Sequence, residues 1–252
     1  MKNNFDLANI SALLEGLEET IIFKLIDRAQ FAYNPRVYEK GRSGFRGAHD
    51  ESLFSLRLRH QEHMDALFGR FCVPEERPFC ARLPVPRRKL SIPPTGLVLN
   101  DPNEINLGAK ILSDYMSLVP RICRHEDDGH YGSSVEHDVF ALQAIARRIH
   151  YGSLFVAESK YRSDPRRYGA MIRAQDAAGI LALLTRRDVE EKIVARIREK
   201  VAATQAKVNL HIRHVIDPGI ILAFYRDCII PLTKEGEVLY LLKRRPPKRE
   251  PR

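Results

Sequence analysis

The sequence predicts an all-α protein. Two observations carry this: the helical period recurs almost throughout the 252 residues, and no segment alternates persuasively as a strand would. A chain of this length buries a substantial core. Its 44% hydrophobic and 29% charged residues are those of an ordinary globular protein.

Leu7, Ile10, Leu14, Leu17, Ile21 and Leu25 define a first amphipathic helix from about Asp6 to Phe31. A loop with Pro35, Gly41, Gly44 and Gly47 leads to a second helix, from about Glu51 to Phe71. The stretch from Val73 to Asn106 holds seven of the fifteen prolines and cannot be regular helix. Such a long loop either links two parts or wraps over a helical body. Helix resumes from about Glu104 to Leu118, and the polar loop "RHEDDGHYGS" precedes a long helix from about Ser134. The stripe of that helix is Val135, Val139, Leu142, Ala146 and Ile149. "SDP" at Ser163–Pro165 is a helix start, with a capping side chain followed by proline in the first turn. Asp188 with Glu191 resembles a capping box for "VEEKIVARIREKVAA". The last helix spans about Pro218 to Lys243, with a kink expected at Pro231. Residues 1–245 are expected to form one helical domain, followed by a basic, Pro-rich tail at 246–252.

The formal net charge is +9, and "KRRPPKREPR" at the end supplies +5 of it, leaving +4 for the rest. A fraying, solvated tail is expected there, and nucleic-acid binding is not. No apolar run approaches the roughly 20 residues that cross a membrane, and acids interrupt the opening segment as no secretory signal allows. Cys72, Cys80, Cys123 and Cys228 are scattered, without zinc-like spacing, so no metal is expected and a reducing, cytoplasmic setting is.

Charged residues on helical faces give only weak signals by themselves. Thr233 and Glu237 are four apart and share a face, as do Arg186 and Glu190; Arg148 and Lys160 lie on the long helix. Taken singly, each is most simply a surface residue.

Five blocks change this. "EETIIFKLIDRAQFAYNPRVYE", "LQAIARRIHYG", "FVAESKYRSD", "DVEEKIVARI" and "IIPLTKEGEVLYLLKRR", in order, resemble the large eukaryotic-type chorismate mutases over about residues 5–245. The resemblance implies a homodimer, each subunit holding a site within a four-helix bundle, that converts chorismate to prephenate without a cofactor on the way to phenylalanine and tyrosine. This isomerisation is a unimolecular Claisen rearrangement of a dicarboxylate. A protein can hold the dianion in its compact shape and place donors where the breaking C–O bond gathers charge on the ether oxygen. Arginine suits the first task, because its planar fork meets a carboxylate through two parallel bonds.

By the same resemblance Arg148 binds a carboxylate, Lys160 reaches the ether oxygen and a carboxylate, and Glu190 accepts from the substrate hydroxyl. Thr233 sits near a carboxylate, and Glu237 faces the ether oxygen as a protonated donor whose pKa burial must raise. Arg70, Gly132 and Ser133 fit positions at which many relatives bind tyrosine or tryptophan effectors at the dimer interface. Gly69 and Glu136 depart from that pattern, and Gly132-Ser133 also serves as a plain loop and cap before a helix.

Three features of the site depart from the family. Ser11 stands where a second carboxylate-binding arginine is usual. Arg186 stands where asparagine is usual, and is expected to compensate in part. Arg148 and Lys160 are twelve positions apart, one more than the family's spacing. On a regular helix eleven steps return to within about 20° of the same face, whereas twelve land about 120° away. A bulge between about Tyr151 and Phe155, next to Gly152 and Ser153, is therefore expected to restore the shared face. Two alternatives remain: a homologue weakened by Ser11 and surviving as a binding or regulatory subunit, and a basic nucleic-acid binder.

Overall fold

The computed structural model describes residues 5–206 and 213–245, and these fold without a β-strand. The expected tail at 246–252 lies outside the described residues.

Helix α1 (Leu7–Ala29) opens on Asp6, whose side chain accepts the Ala8 amide. Its stripe is buried at Ile10, Leu17, Ile21 and Leu25, but Leu7 stays half exposed. Helix α2 (Leu53–Leu67) begins at a reciprocal Ser52–Ser55 cap and stops short of Phe71. Gly69 takes a left-handed φ of 85° just beyond it, and Arg70–Cys72 is a separate 3₁₀ turn. Residues Val73 to Asn106 are bonded back onto the helices. Glu62 of α2 accepts the Phe79 and Cys80 amides, and the Arg87 amide reaches back to the Leu67 carbonyl.

Helix α3 (Gly108–Ile122) starts later than expected and runs past Leu118, with Pro120 inside it. Helix α4 (Tyr131–Tyr151) carries the expected stripe, every member of which is buried. It passes without a break through a π-helical turn, Gly152–Val156, into α5 (Ala157–Ser163). The π turn falls where the twelve-residue spacing requires it. Contact with the last helix explains the small residues there. A Cβ on Gly152 would lie 2.7 Å from Thr233 Cγ2, and one on Gly236 would collide with Ser153 Oγ.

Asp164 caps α6 (Pro165–Ala174), as "SDP" predicts, and α7 (Ala177–Leu184) follows. The capping box at Asp188 and Glu191 is not formed. The N-cap of α8 (Arg187–Gln205) is Arg186, and Asp188 lies inside the first turn, where its carboxylate takes the Arg186 guanidinium instead. The final column is α9 (Pro218–Phe224), a second π turn at Tyr225–Ile229, and α10 (Ile230–Lys243). Pro231 has no amide to donate, and the chain meets this with the π turn just ahead of it rather than a break.

Helix α4 packs along α1, α2 and α3, while α10 packs on the first π turn, α5 and α7, and α8 lies against α1 and α9. One apolar core surrounds α4, and a second surrounds the π turn, α5, α7 and the end of α10. The fully buried Arg28 and Asp138 pair ties α1 to α4, while Arg28 also donates to the carbonyls of Phe31, Ala32 and Tyr33. The expected fraying after residue 243 is corrected at Arg244. Its guanidinium is sequestered by the buried Glu158 carboxylate, and the Arg245 amide donates to the Val98 carbonyl.

His150 supplies a pH dependence of stability. Its buried ring accepts the Leu107 amide at Nε2, 3.0 Å away, with Nδ1 2.8 Å from the Ala146 carbonyl. Burial pushes its pKa down to about 4 from 6.5. The unfolded chain therefore binds this proton more tightly, so the stabilisation is complete above about pH 6.5 and lost as pH falls toward 4. The loss expected across that window is about 3 kcal/mol. Urea titrations at pH 7 and 4.5 check it: His150→Asn should remove most of this difference.

Candidate active site

A pocket of roughly 300 Å³ opens between α1, the α4–α5 column, α8 and α10, which is a four-helix arrangement. Leu7 and Leu14, the α1 stripe residues left incompletely buried, lie on its wall. Arg148, Lys160, Arg186, Glu190, Thr233 and Glu237 all line it, as does Ser11. The six residues come from four separate elements, and the π turn is what brings Lys160 onto the same side as Arg148.

Arg148 is 3% exposed. Its Nη1 donates to Thr233 Oγ1 at 2.7 Å, and Thr233 Oγ1 in turn donates to the Ile229 carbonyl of the second π turn. The other edge of the guanidinium is nearly unused. Nε has no hydrogen-bond partner, and Nη2 is 3.9 Å from Glu18. A buried donor without a partner costs about 1–3 kcal/mol, which an arriving carboxylate would remove.

Lys160 Nζ lies 3.1 Å from Glu237 Oε2 and 3.3 Å from the Leu184 carbonyl. Glu237 is buried, and burial raises its pKa; Lys160, Arg148 and Lys234 pull it back. The net direction is upward, toward a protonated donor. Glu190 accepts from Lys234 at 3.0 Å. Arg186 lies at the pocket margin, 65% exposed at its side chain, and both its bonds go to Asp188 at 3.1 Å.

The wall beside Ser11 is charged, through side chains that none of the five blocks marks as site residues. Glu18, fully buried, takes a two-pronged contact from Arg196 at 2.9 and 2.8 Å, with Lys200 at 3.7 Å. Glu15 also meets Arg196. The signal was present: Lys192, Arg196 and Lys200 recur every four residues on α8, against Glu15, Glu18 and Glu19 on α1. Pairing two helices by complementary charge would have found it.

The expected effector set does not assemble within one chain. Gly132 and Ser133 line an open surface pocket with Arg57, His60 and Glu136, and Arg57 Nη2 pairs with Glu136 at 2.8 Å. Arg70 is not in that wall. Asp65, Glu76 and Gln143 hold its guanidinium elsewhere, at 3.1, 3.0 and 2.6 Å. Among the described residues no cluster of His, Cys, Asp and Glu could hold a metal, and no helix is long and apolar enough to cross a membrane.

No protein-family model matches the chain. It is 39% identical to chorismate mutase 1, chloroplastic, of Petunia hybrida, over 96% of this chain and 76% of that protein. It is 37% identical to the chorismate mutase of Schizosaccharomyces pombe, over 94% of this chain and 96% of the other. Among solved structures, a Candida albicans chorismate mutase in complex with L-Trp superposes with a TM-score of 0.86 at 35% identity, covering 96% of this chain and 92% of that one. The chorismate mutase AtCM1 with tyrosine bound in its allosteric site gives 0.81 at 34% identity, covering 96% and 97%.

Proposed function

Because the chain belongs to the chorismate mutase family, we propose that its pocket rearranges chorismate to prephenate, with the roles of six side chains divided by charge. The observation that carries this is the buried Arg148 guanidinium, whose Nε has no hydrogen-bond partner and whose Nη2 has only a 3.9 Å contact with Glu18, in a pocket that also holds Lys160 and Glu237. Arg148 takes one substrate carboxylate through its Nε–Nη2 edge, with Thr233 fixing the opposite side of the guanidinium. Lys160 and protonated Glu237 flank the ether oxygen as its charge grows, and Glu190 accepts from the ring hydroxyl. No proton is transferred and no covalent bond to the protein forms. Rate comes from holding the dianion compact and from donors already in place.

Arg186 offers a cation to the second carboxylate in place of the arginine missing at Ser11, after exchanging its hold on Asp188. The loss of absorbance of chorismate with purified protein tests the assignment, and no loss at micromolar enzyme would refute it. In the same assay Arg186→Asn should raise KM roughly fivefold, the scale of one exposed charge contact. Unchanged kcat and KM would make Arg186 structural.

An aromatic amino-acid effector belongs to the same reading, at Gly132 and Ser133, with Arg70 brought to them from a second subunit of a homodimer. Phe23, Phe45 and Phe68, each more than half exposed, offer apolar surface for that association. Running the assay with added tyrosine or tryptophan, beside sedimentation velocity, tests both. Residues 1–245 act as one domain in this reading, supported by the α4–α5 column that feeds both cores. The cytoplasm is the proposed setting, in keeping with four unpaired cysteines.

A further inference from the structure

Helix α5 carries Lys160, and what holds α5 in place lies outside the pocket. It is the last seven residues of a column that runs on from α4 through the π turn, and its outer end is held by side-chain bonds to α10 as well as by its own backbone. Glu158 and Lys160 are two positions apart, about 200° around the axis, so they leave α5 on opposite sides. Lys160 meets Glu237 in the pocket. Glu158 is fully buried away from it and gathers donors from three directions. Tyr240 Oη donates at 2.7 Å, Arg244 Nε at 2.7 Å and Nη2 at 3.1 Å, and Arg162 Nε at 2.8 Å.

Glu237, Tyr240 and Arg244 are spaced i, i+3 and i+7, so one face of α10 and its end grips α5 on both sides. The grip extends to the Pro-rich segment. Tyr240 Oη accepts the Val98 amide, the Gly96 carbonyl accepts from Arg162, and the Arg244 guanidinium stacks 3.6 Å from the Tyr161 ring centroid. A carboxylate removed from water and met by two guanidiniums and a phenol is a costly arrangement unless every bond is made, and here it is. Hydrophobic residues would have packed these helices together; directional bonds also set the angle at which they meet.

We propose that Glu158, held by Tyr240 and Arg244, is a positioning residue for the reaction: it fixes the rotation of α5 on α10 and thereby keeps Lys160 Nζ on Glu237 and at the ether oxygen. The inference rests on the roles given above to Lys160 and Glu237. None of Glu158, Tyr240 and Arg244 lines the pocket, so an effect on catalysis passes through the seating of α5 on α10, which sets Lys160 against Glu237. Loosening the outer bonds lets Lys160 drift from Glu237. The carboxylate of Glu237 faces Lys160 from α5, Arg148 from α4, Lys234 on its own helix and the Tyr168 phenol of α6. Losing the nearest cation destabilises its ionised form.

The test is the pH profile of kcat for Tyr240→Phe, Arg244→Gln, Arg244→Lys and Glu158→Gln, with thermal unfolding measured alongside. Tyr240→Phe and Arg244→Gln should lower kcat about tenfold, more than they raise KM, as small misplacements of a reacting group do. The pH midpoint should move up by roughly half a unit, and Arg244→Lys should recover part of both effects. Should Glu158→Gln fail to fold, the other three carry the same readout. Variants that unfold at lower temperature yet keep wild-type kcat and midpoint would overturn the proposal, and so would a lower kcat with an unmoved midpoint. A wild-type protein that leaves chorismate unchanged would instead refute the proposed function.

Discussion

Arg148→Ala is expected to lower kcat/KM about 10³-fold. The Nε–Nη2 edge of the guanidinium, which makes no hydrogen bond within the protein, offers a carboxylate two charge-assisted bonds, each worth about 1.5–3 kcal/mol. Losing both corresponds to roughly 10²–10⁴ in rate. Folding should survive, because Glu18 keeps Arg196 and Lys200 as counter-charges when Arg148 is gone. Arg148→Lys separates charge from shape. Lysine restores the cation but not the planar fork, and cannot both meet Thr233 and grip a carboxylate side-on. It should therefore recover about tenfold at most. Steady-state kinetics with circular dichroism decide the matter: a folded Arg148→Ala enzyme within tenfold of wild type would remove this residue from the substrate site.

The second large effect is on pH. In the proposed reaction Glu237 donates to the ether oxygen only while protonated, and burial raises its pKa above that of an ordinary carboxyl. Turnover is therefore full below that ionisation and declines as pH rises through it, about tenfold per pH unit beyond the midpoint. The bound dianion adds like charge and moves the midpoint further up, so kcat should hold to higher pH than kcat/KM. Glu237→Gln keeps a donor that cannot ionise and should flatten the decline. Glu237→Ala removes the donor and should cost about 10²–10³ in kcat, as loss of one donor to a developing oxyanion does. A wild-type rate that stays flat from acid to neutral pH would rule out a protonated Glu237.

Parts of the molecule that follow local rules were legible before any coordinates. The α4 stripe from Val135 to Ile149 is buried as its period requires, and Asp164-Pro165 starts a helix as its chemistry requires. The extra residue before Lys160 is also local arithmetic, since a helix that must present Arg148 and Lys160 to one side has to absorb it. Capping fared worse at α8. Asp188 has the right chemistry for a cap, but Arg186 offered its carboxylate a closer partner.

The sequence by itself determined that the chain is helical and where most helices begin, because periodicity is written along the chain, and its resemblance to a family, in five ordered blocks, put residues 148, 160, 190, 233 and 237 together. Only the tertiary structure decided which charges face which. Glu18 against Arg196 and Glu158 against Arg244 are 178 and 86 residues apart. A charge on one helix has no partner until a second helix is packed beside it at a definite rotation. That rotation is set by the whole core, through contacts such as Gly152 on Thr233 and Gly236 on Ser153, and not by either segment alone.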